Sequence, residues 1–166
     1  RLVAAMALLL TLGSCGVGSD DGEIEVSVIG DGFRLPDPDR TALSRADQVL
    51  AGAISEGLVS FDGNGQVQPG LAESWIVTSD GLSTIFRVRA AKWRDGQDID
   101  GDEVARSLNR AVAHDSRNPY RALFTAVDAV IGMTGRVIEI RLKSPRPNLL
   151  QLLAQPELGV RRNGAG

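Results

Sequence analysis

One stretch constrains the fold more than any other part of the chain: Pro69–Arg110, PGLAESWIVTSDGLSTIFRVRAAKWRDGQDIDGDEVARSLNR. Its pattern predicts a strand ending at Trp75-Ile76, a Ser79-Asp80-Gly81 turn and a second strand over Ser83–Arg89. In that second strand Thr84, Phe86 and Val88 share one face, while Ile85, Arg87 and Arg89 share the other. A strand end at Trp93, an Asp95-Gly96 turn and an amphipathic helix from Gly101 follow. Asp100 and Glu103 are spaced as N-cap and N3, and their carboxylates favour a helix start. Val104, Leu108, Ala111 and Val112 then fall on one helical face, and the helix is expected to stop before Asn118-Pro119.

Tested for chemistry, this acid-rich stretch yields turns and caps. Read as a calcium loop from Asp98, it places Glu103 where glycine is required and Asn109 where the closing acid is required. The glycines at 63, 65 and 70 do not form a dinucleotide fingerprint, and no phosphate-binding Gly-Lys-Ser/Thr loop exists. His114, beside Asp115, reads as a solvated or capping residue, since no Ser or Cys nucleophile shares a motif with it. Trp75 and Trp93 read as core or rim anchors, and Arg87 and Arg89 as a solvated or ion-paired face. No catalytic set, cofactor or metal site is expected. A net charge of −3 gives no basic field for nucleic acid, and 4% aromatic content argues against single-strand stacking. One cysteine and one histidine exclude an internal disulfide framework and a histidine-rich zinc site.

The N-terminus reads as an address. Leu2–Leu12 is apolar, follows Arg1, and is too short to span a bilayer as a helix. Leu12-Gly13-Ser14-Cys15 has the form of a lipobox: small residues admit a peptidase, and the Cys15 thiol takes the diacylglycerol. The alternative is a buried cysteine closing an apolar helix. On the first reading residues 1–15 are a lipoprotein signal peptide, 16–22 a flexible tether and 23–166 the folded part. The protein would then sit in the cell envelope, lipid-anchored to a membrane.

Further on, Glu23–Ile29 alternates as a strand, and Leu35-Pro36-Asp37-Pro38 is an extended loop. Ser44 and Asp47 form a capping box, after which Ala46, Val49, Leu50, Ala53, Ile54 and Gly57 make one apolar stripe. Leu58–Phe61 and Gln66–Gln68 flank an Asp62-Gly63-Asn64-Gly65 hairpin turn. Val127–Ile131 and Arg136–Leu142 are expected strands, the second with Ile138, Ile140 and Leu142 on one face; Asn148 is expected to cap a short helix over Leu149–Ala154. The sum is a mixed α+β or α/β chain.

Several blocks, in order, resemble the family 5 extracytoplasmic solute-binding proteins, the dipeptide-, oligopeptide- and nickel-binding components of ABC importers. They are Glu56-Gly57-Leu58, Pro69-Gly70-Leu71-Ala72-Glu73-Ser74-Trp75, Asp80-Gly81 with Phe86 and Arg89, Lys92-Trp93-Arg94-Asp95-Gly96, Glu103-Val104 with Ser107-Leu108-Asn109-Arg110, and Pro145-Arg146-Pro147-Asn148-Leu149-Leu150. Glu103 stands where the family has Asp. The likeness covers roughly residues 24–155. It implies a bilobed, type II periplasmic-binding-protein-like fold of which this chain carries the first lobe, incomplete, with the second beyond Gly166. It also implies a non-enzymatic monomer that closes on a peptide or similar small solute and docks on ABC permease subunits. By the same likeness Thr41, Ala42, Leu43 and Ser44 line the cleft and Tyr120 approaches the ligand; Tyr120 equally suits a half-buried loop aromatic. Nickel chelate, opine or sugar are alternative ligands, an envelope hydrolase or a cytoplasmic sensor alternative roles.

Overall fold

The computed structural model describes residues 36–162. Cys15, the signal segment, the tether, the Glu23–Ile29 strand and the last four residues lie outside the described residues. Helix α1 (Arg45–Ile54) comes first, then a hairpin of β1 (Val59–Phe61) and β2 (Val67–Pro69). The strands β3 (Ala72–Val77), β4 (Ser83–Val88), β5 (Val127–Gly132) and β6 (Val137–Leu142) form a four-stranded antiparallel sheet in the order β3-β4-β6-β5. Helices α2 (Gly101–Val112) and α3 (Leu149–Leu153) complete the regular structure, with 3-10 turns at Arg121–Phe124 and Pro156–Leu158. Among the described residues no helix is long and apolar enough to cross a membrane.

Alternation in β4 and β6 decides where the core sits. Thr84, Phe86, Val88, Ile138, Ile140 and Leu142 are buried, as their period of two predicts, and Phe86 pairs with Ile138 across the ladder. The opposite face carries Arg87, ion-paired to Glu73 at 2.7 Å, and Arg141, ion-paired to Glu139 at 2.8 Å. Val104, Ala105, Leu108 and Ala111 of α2 cover the apolar face. Each fully buried Phe, Ile or Val contributes about 1.5–3 kcal/mol. Trp75 lies tilted against Phe86, with ring centroids 6.4 Å apart, and seals the β3 side.

Turn chemistry sets the register. Asp80 Oδ1 accepts from Thr78 Oγ1 at 2.6 Å and from the Leu82 amide at 3.0 Å, and Gly81 takes φ 68°, where a side chain would be strained. The Thr78 hydroxyl and the Leu82 amide hold the Asp80 carboxyl below its ordinary range. Asp62 Oδ1 accepts from the Asn64 and Gln66 amides, both at 2.8 Å, and closes the first hairpin. Asp100 Oδ1 accepts from the Glu103 amide at 2.7 Å and starts α2. The helix ends at Val112, before Asn118-Pro119 as expected, where Ala113 leaves helical geometry with ψ 151°; further on the Arg117 amide donates to the Asp39 carbonyl at 2.8 Å.

One expectation is corrected: Asn148 makes no side-chain capping bond to α3. Helix α1 forms behind its capping box as expected; among the described residues Val49 of its apolar stripe is 57% exposed and Ile54 62%, while Ala51 is buried. Gln48 ties the helix to the Pro156–Leu158 turn, its Nε2 donating to Glu157 Oε1 at 2.9 Å.

Candidate functional site

The two predicted ligand-facing segments start far apart in sequence and are brought to one end of the fold by a buried polar junction. The first segment is built from Asp37 onward. Asp37 Oδ1 accepts from the Asp39 amide at 3.0 Å, and its carbonyl accepts from the Arg40 and Thr41 amides at 2.9 and 3.0 Å. Pro38 is buried beneath this turn. Thr41, Ala42 and Ser44 are exposed and Leu43 is half-buried. Ser44 closes the segment as the N-cap of α1: the Asp47 amide donates to its hydroxyl at 3.2 Å, and its own amide donates to Asp47 Oδ2 at 3.0 Å.

The second segment follows α2. Tyr120 is half-buried, and its hydroxyl donates to Gln155 Oε1 at 3.1 Å. Burial, then the nearby Glu157 carboxylate, push the phenol above its usual value, so Tyr120 stays neutral and keeps its donor.

Asn118 joins the two. It is 4% exposed; Nδ2 donates to Asp39 Oδ1 at 3.1 Å and to the Glu157 carbonyl at 3.0 Å. Its Oδ1 accepts from the Tyr120 amide at 3.1 Å. The Arg161 guanidinium lies 3.5 Å from Asp39 Oδ1 and donates to the Glu157 carbonyl at 3.2 Å. The Arg161 backbone is held in turn, its amide donating to Ser107 Oγ at 2.9 Å and its carbonyl accepting from Arg110 at 3.0 Å. Burial lowers the Arg161 pKa while Asp39 and Asp37 oppose the shift, and the group remains a cation at neutral pH. The partners are amides, carboxylates and a guanidinium, which fix geometry.

A neighbouring cluster ties the chain down beside Trp93. Trp93 Nε1 donates to Glu103 Oε2 at 2.8 Å, and the Arg162 guanidinium stands 5.8 Å from the Trp93 ring centroid. Arg162 also pairs with Asp95 at 2.5 Å and Glu103 at 3.4 Å, and donates to Gln97 Oε1. The acids of Pro69–Arg110 thus serve turns, caps and ion pairs, and among the described residues no group of three or more His, Cys, Asp or Glu is placed to hold a metal ion. Sequence reasoning missed Gln48, Asp39, Asn118, Glu157 and Arg161; the available signal was the Asn118-Pro119 dipeptide, legible only as a helix stop.

A family model described as bacterial extracellular solute-binding proteins, family 5, middle region, matches residues 66–163. The probable deoxycholate-binding periplasmic protein YgiS of Escherichia coli (strain K12) is 31% identical over 140 residues, covering 74% of this chain and 26% of YgiS. The glutathione-binding protein GsiB of Salmonella choleraesuis (strain SC-B67) is 30% identical over 132 residues, covering 79% of this chain and 26% of GsiB. The crystal structure of Haemophilus influenzae OppA in complex with RPPGFSPFR superposes with a TM-score of 0.67 at 25% identity, covering 75% of this chain and 28% of OppA. The chain therefore spans about a quarter of the length of these relatives. The match over residues 66–163, on a mixed α/β lobe with the same architecture as these binding proteins, establishes that the chain belongs to the family 5 bacterial extracellular solute-binding proteins.

Proposed function

We propose that this chain is part of a protein that captures a peptide-type solute outside the cytoplasmic membrane and delivers it to the permease of an ABC importer. The observation that carries the reading is the family match over residues 66–163. The peptide class is supported by two relatives whose ligands are peptide-like, glutathione for GsiB and a nonapeptide for OppA. The protein acts as a non-enzymatic monomer: it binds its solute between two lobes, and binding shifts the population towards the closed form that docks on the permease. Thr41, Ala42, Leu43 and Ser44 form one solute-facing loop and Tyr120 contributes from the other. What supports this is that Asp39 and Asn118 bond to each other next to both. Cys15 carries a diacylglycerol that anchors the protein to the membrane.

Thermal unfolding of the full-length protein with glutathione, RPPGFSPFR or deoxycholate tests the solute class. A ligand at 100 times its Kd adds about 2.7 kcal/mol to the folded state. A peptide-dependent rise in Tm is expected; a rise with deoxycholate alone overturns the peptide reading. Metabolic labelling with palmitate tests the anchor, and label that persists in Cys15→Ala refutes it.

A further inference from the structure

We infer that the Asp39–Asn118 pair is a positioning device that sets the two solute-facing segments relative to each other, with Asn118 as its centre. This rests on the reading of Thr41–Ser44 and Tyr120 as solute-facing. Asn118 is the one described residue whose side chain bonds to both of those segments and to a third. Nδ2 reaches Asp39 of the first segment and the Glu157 carbonyl of the Pro156–Leu158 turn, while Oδ1 holds the Tyr120 amide. The backbone doubles the link, since the Arg117 amide donates to the Asp39 carbonyl at 2.8 Å. The Asp39 side chain is only 8% exposed, and its Oδ2 is buried without a hydrogen-bond partner among the described residues. A carboxylate kept there at a desolvation cost serves geometry better than stability. Arg161 supplies the countercharge, and it too is anchored from below by Ser107 and Arg110.

Because the rest of the junction is pinned to α2 and to the Pro156–Leu158 turn, Asp39 is the member whose loss loosens one segment. In Asp39→Ala, Asn118 keeps its bonds to Glu157 and Tyr120, so the second segment stays in place while the first is held to it by the Arg117–Asp39 backbone bond without its side-chain counterpart. In Asp39→Asn the amide oxygen still accepts from Asn118, so the link is restored without the charge.

Hydrogen exchange on the full-length protein, with glutathione binding measured in parallel, tests the device. Asp39→Ala is expected to raise exchange at the Arg40, Thr41 and Arg117 amides about 10-fold, to leave the β4 and β6 amides unchanged, and to weaken glutathione binding. Asp39→Asn is expected to restore both readouts. Wild-type exchange at those amides in Asp39→Ala overturns the inference, as does a rise spread evenly over the chain or a failure of Asp39→Asn to restore protection. Tyr120→Ala separates the two ideas: unchanged glutathione affinity there sinks the solute-facing reading, while the exchange pattern judges the junction independently.

Discussion

Gly101→Ala tests whether close approach or helix propensity governs the start of α2. Propensity alone makes alanine the better residue by up to about 1 kcal/mol. A Cβ at this position would stand 2.7 Å from the Val137 carbonyl oxygen and 3.1 Å from that of Gly135. Both are backbone atoms, Gly135 in the β5–β6 turn and Val137 at the start of β6, so relief requires that corner and the helix to separate by roughly half an ångström or more. That separation also lengthens the bond from the Gly101 amide to the Gly135 carbonyl, now 3.1 Å. Overpacking of this kind costs about 1–3 kcal/mol and the strained hydrogen bond about 1 kcal/mol more. After the propensity gain is subtracted, a net destabilisation of about 1–3 kcal/mol remains, lowering Tm by roughly 2–12 °C for a unit of this size. Gly52→Ala, in the exposed last turn of α1 with nothing within 4 Å of its Cβ, is the control and gains up to about 1 kcal/mol. Urea unfolding with a constant m-value reads both. A Gly101→Ala variant as stable as wild type, or more so, refutes the packing argument.

Phe86→Ala empties the centre of the sheet face, where Phe86 is 0% exposed, and is expected to cost about 3–5 kcal/mol in urea unfolding; a loss below about 1 kcal/mol would show that the core closes over the gap. Ser44→Ala removes both hydroxyl bonds of the capping box and is expected to cost about 1 kcal/mol, with faster amide exchange confined to the first turn of α1. The Arg141 guanidinium, and then the Ser83 hydroxyl, hold the Glu139 carboxyl below its usual value. A folded-state pKa below the unfolded one contributes stability above the ordinary carboxylate range and loses it as pH falls through the folded value. Glu139→Gln is therefore expected to flatten the decline of the urea midpoint on acidification, and an unchanged acid slope counts against the pairing.

What the sequence made legible follows from the range of the interactions involved. The buried faces of β4 and β6 were readable because side-chain direction alternates strictly along a strand, whatever the partner. Ser44 with Asp47 and Asp100 with Glu103 were readable because a cap is satisfied within four residues of chain. The sequence leaves Arg87 and Arg89 on a solvated or ion-paired face, and they pair with Glu73 and Glu56. The polar junction is of another kind. Asp39 and Asn118 are 79 positions apart and Asn118 and Glu157 39, and no local pattern marks either pair. Even the run Arg161-Arg162, which carries no periodicity, supplies the guanidinium beside Asp39 and the one beside Trp93.

Helix α1 shows what the same reasoning leaves open. A 3.6-residue period identifies which face is apolar, not which face meets the neighbouring element. Gln48 lies between Ala46 and Val49, and its bond to the 1%-exposed Glu157 goes with a rotation in which Ala51 is buried while Val49 and Ile54 are exposed among the described residues. Rotating the helix to bury those two side chains would gain about 1–2 kcal/mol each at their present exposure. It would also strip a buried carboxylate oxygen of its donor, a cost of about 1–3 kcal/mol or more for a charged group. The two terms are close in size. The polar contact decides because it is directional and tolerates one rotation, whereas apolar burial tolerates several. The same directionality lets Asn118 hold two loops in register, and it explains why the most informative residues of this lobe are amides and acids outside every hydrophobic pattern.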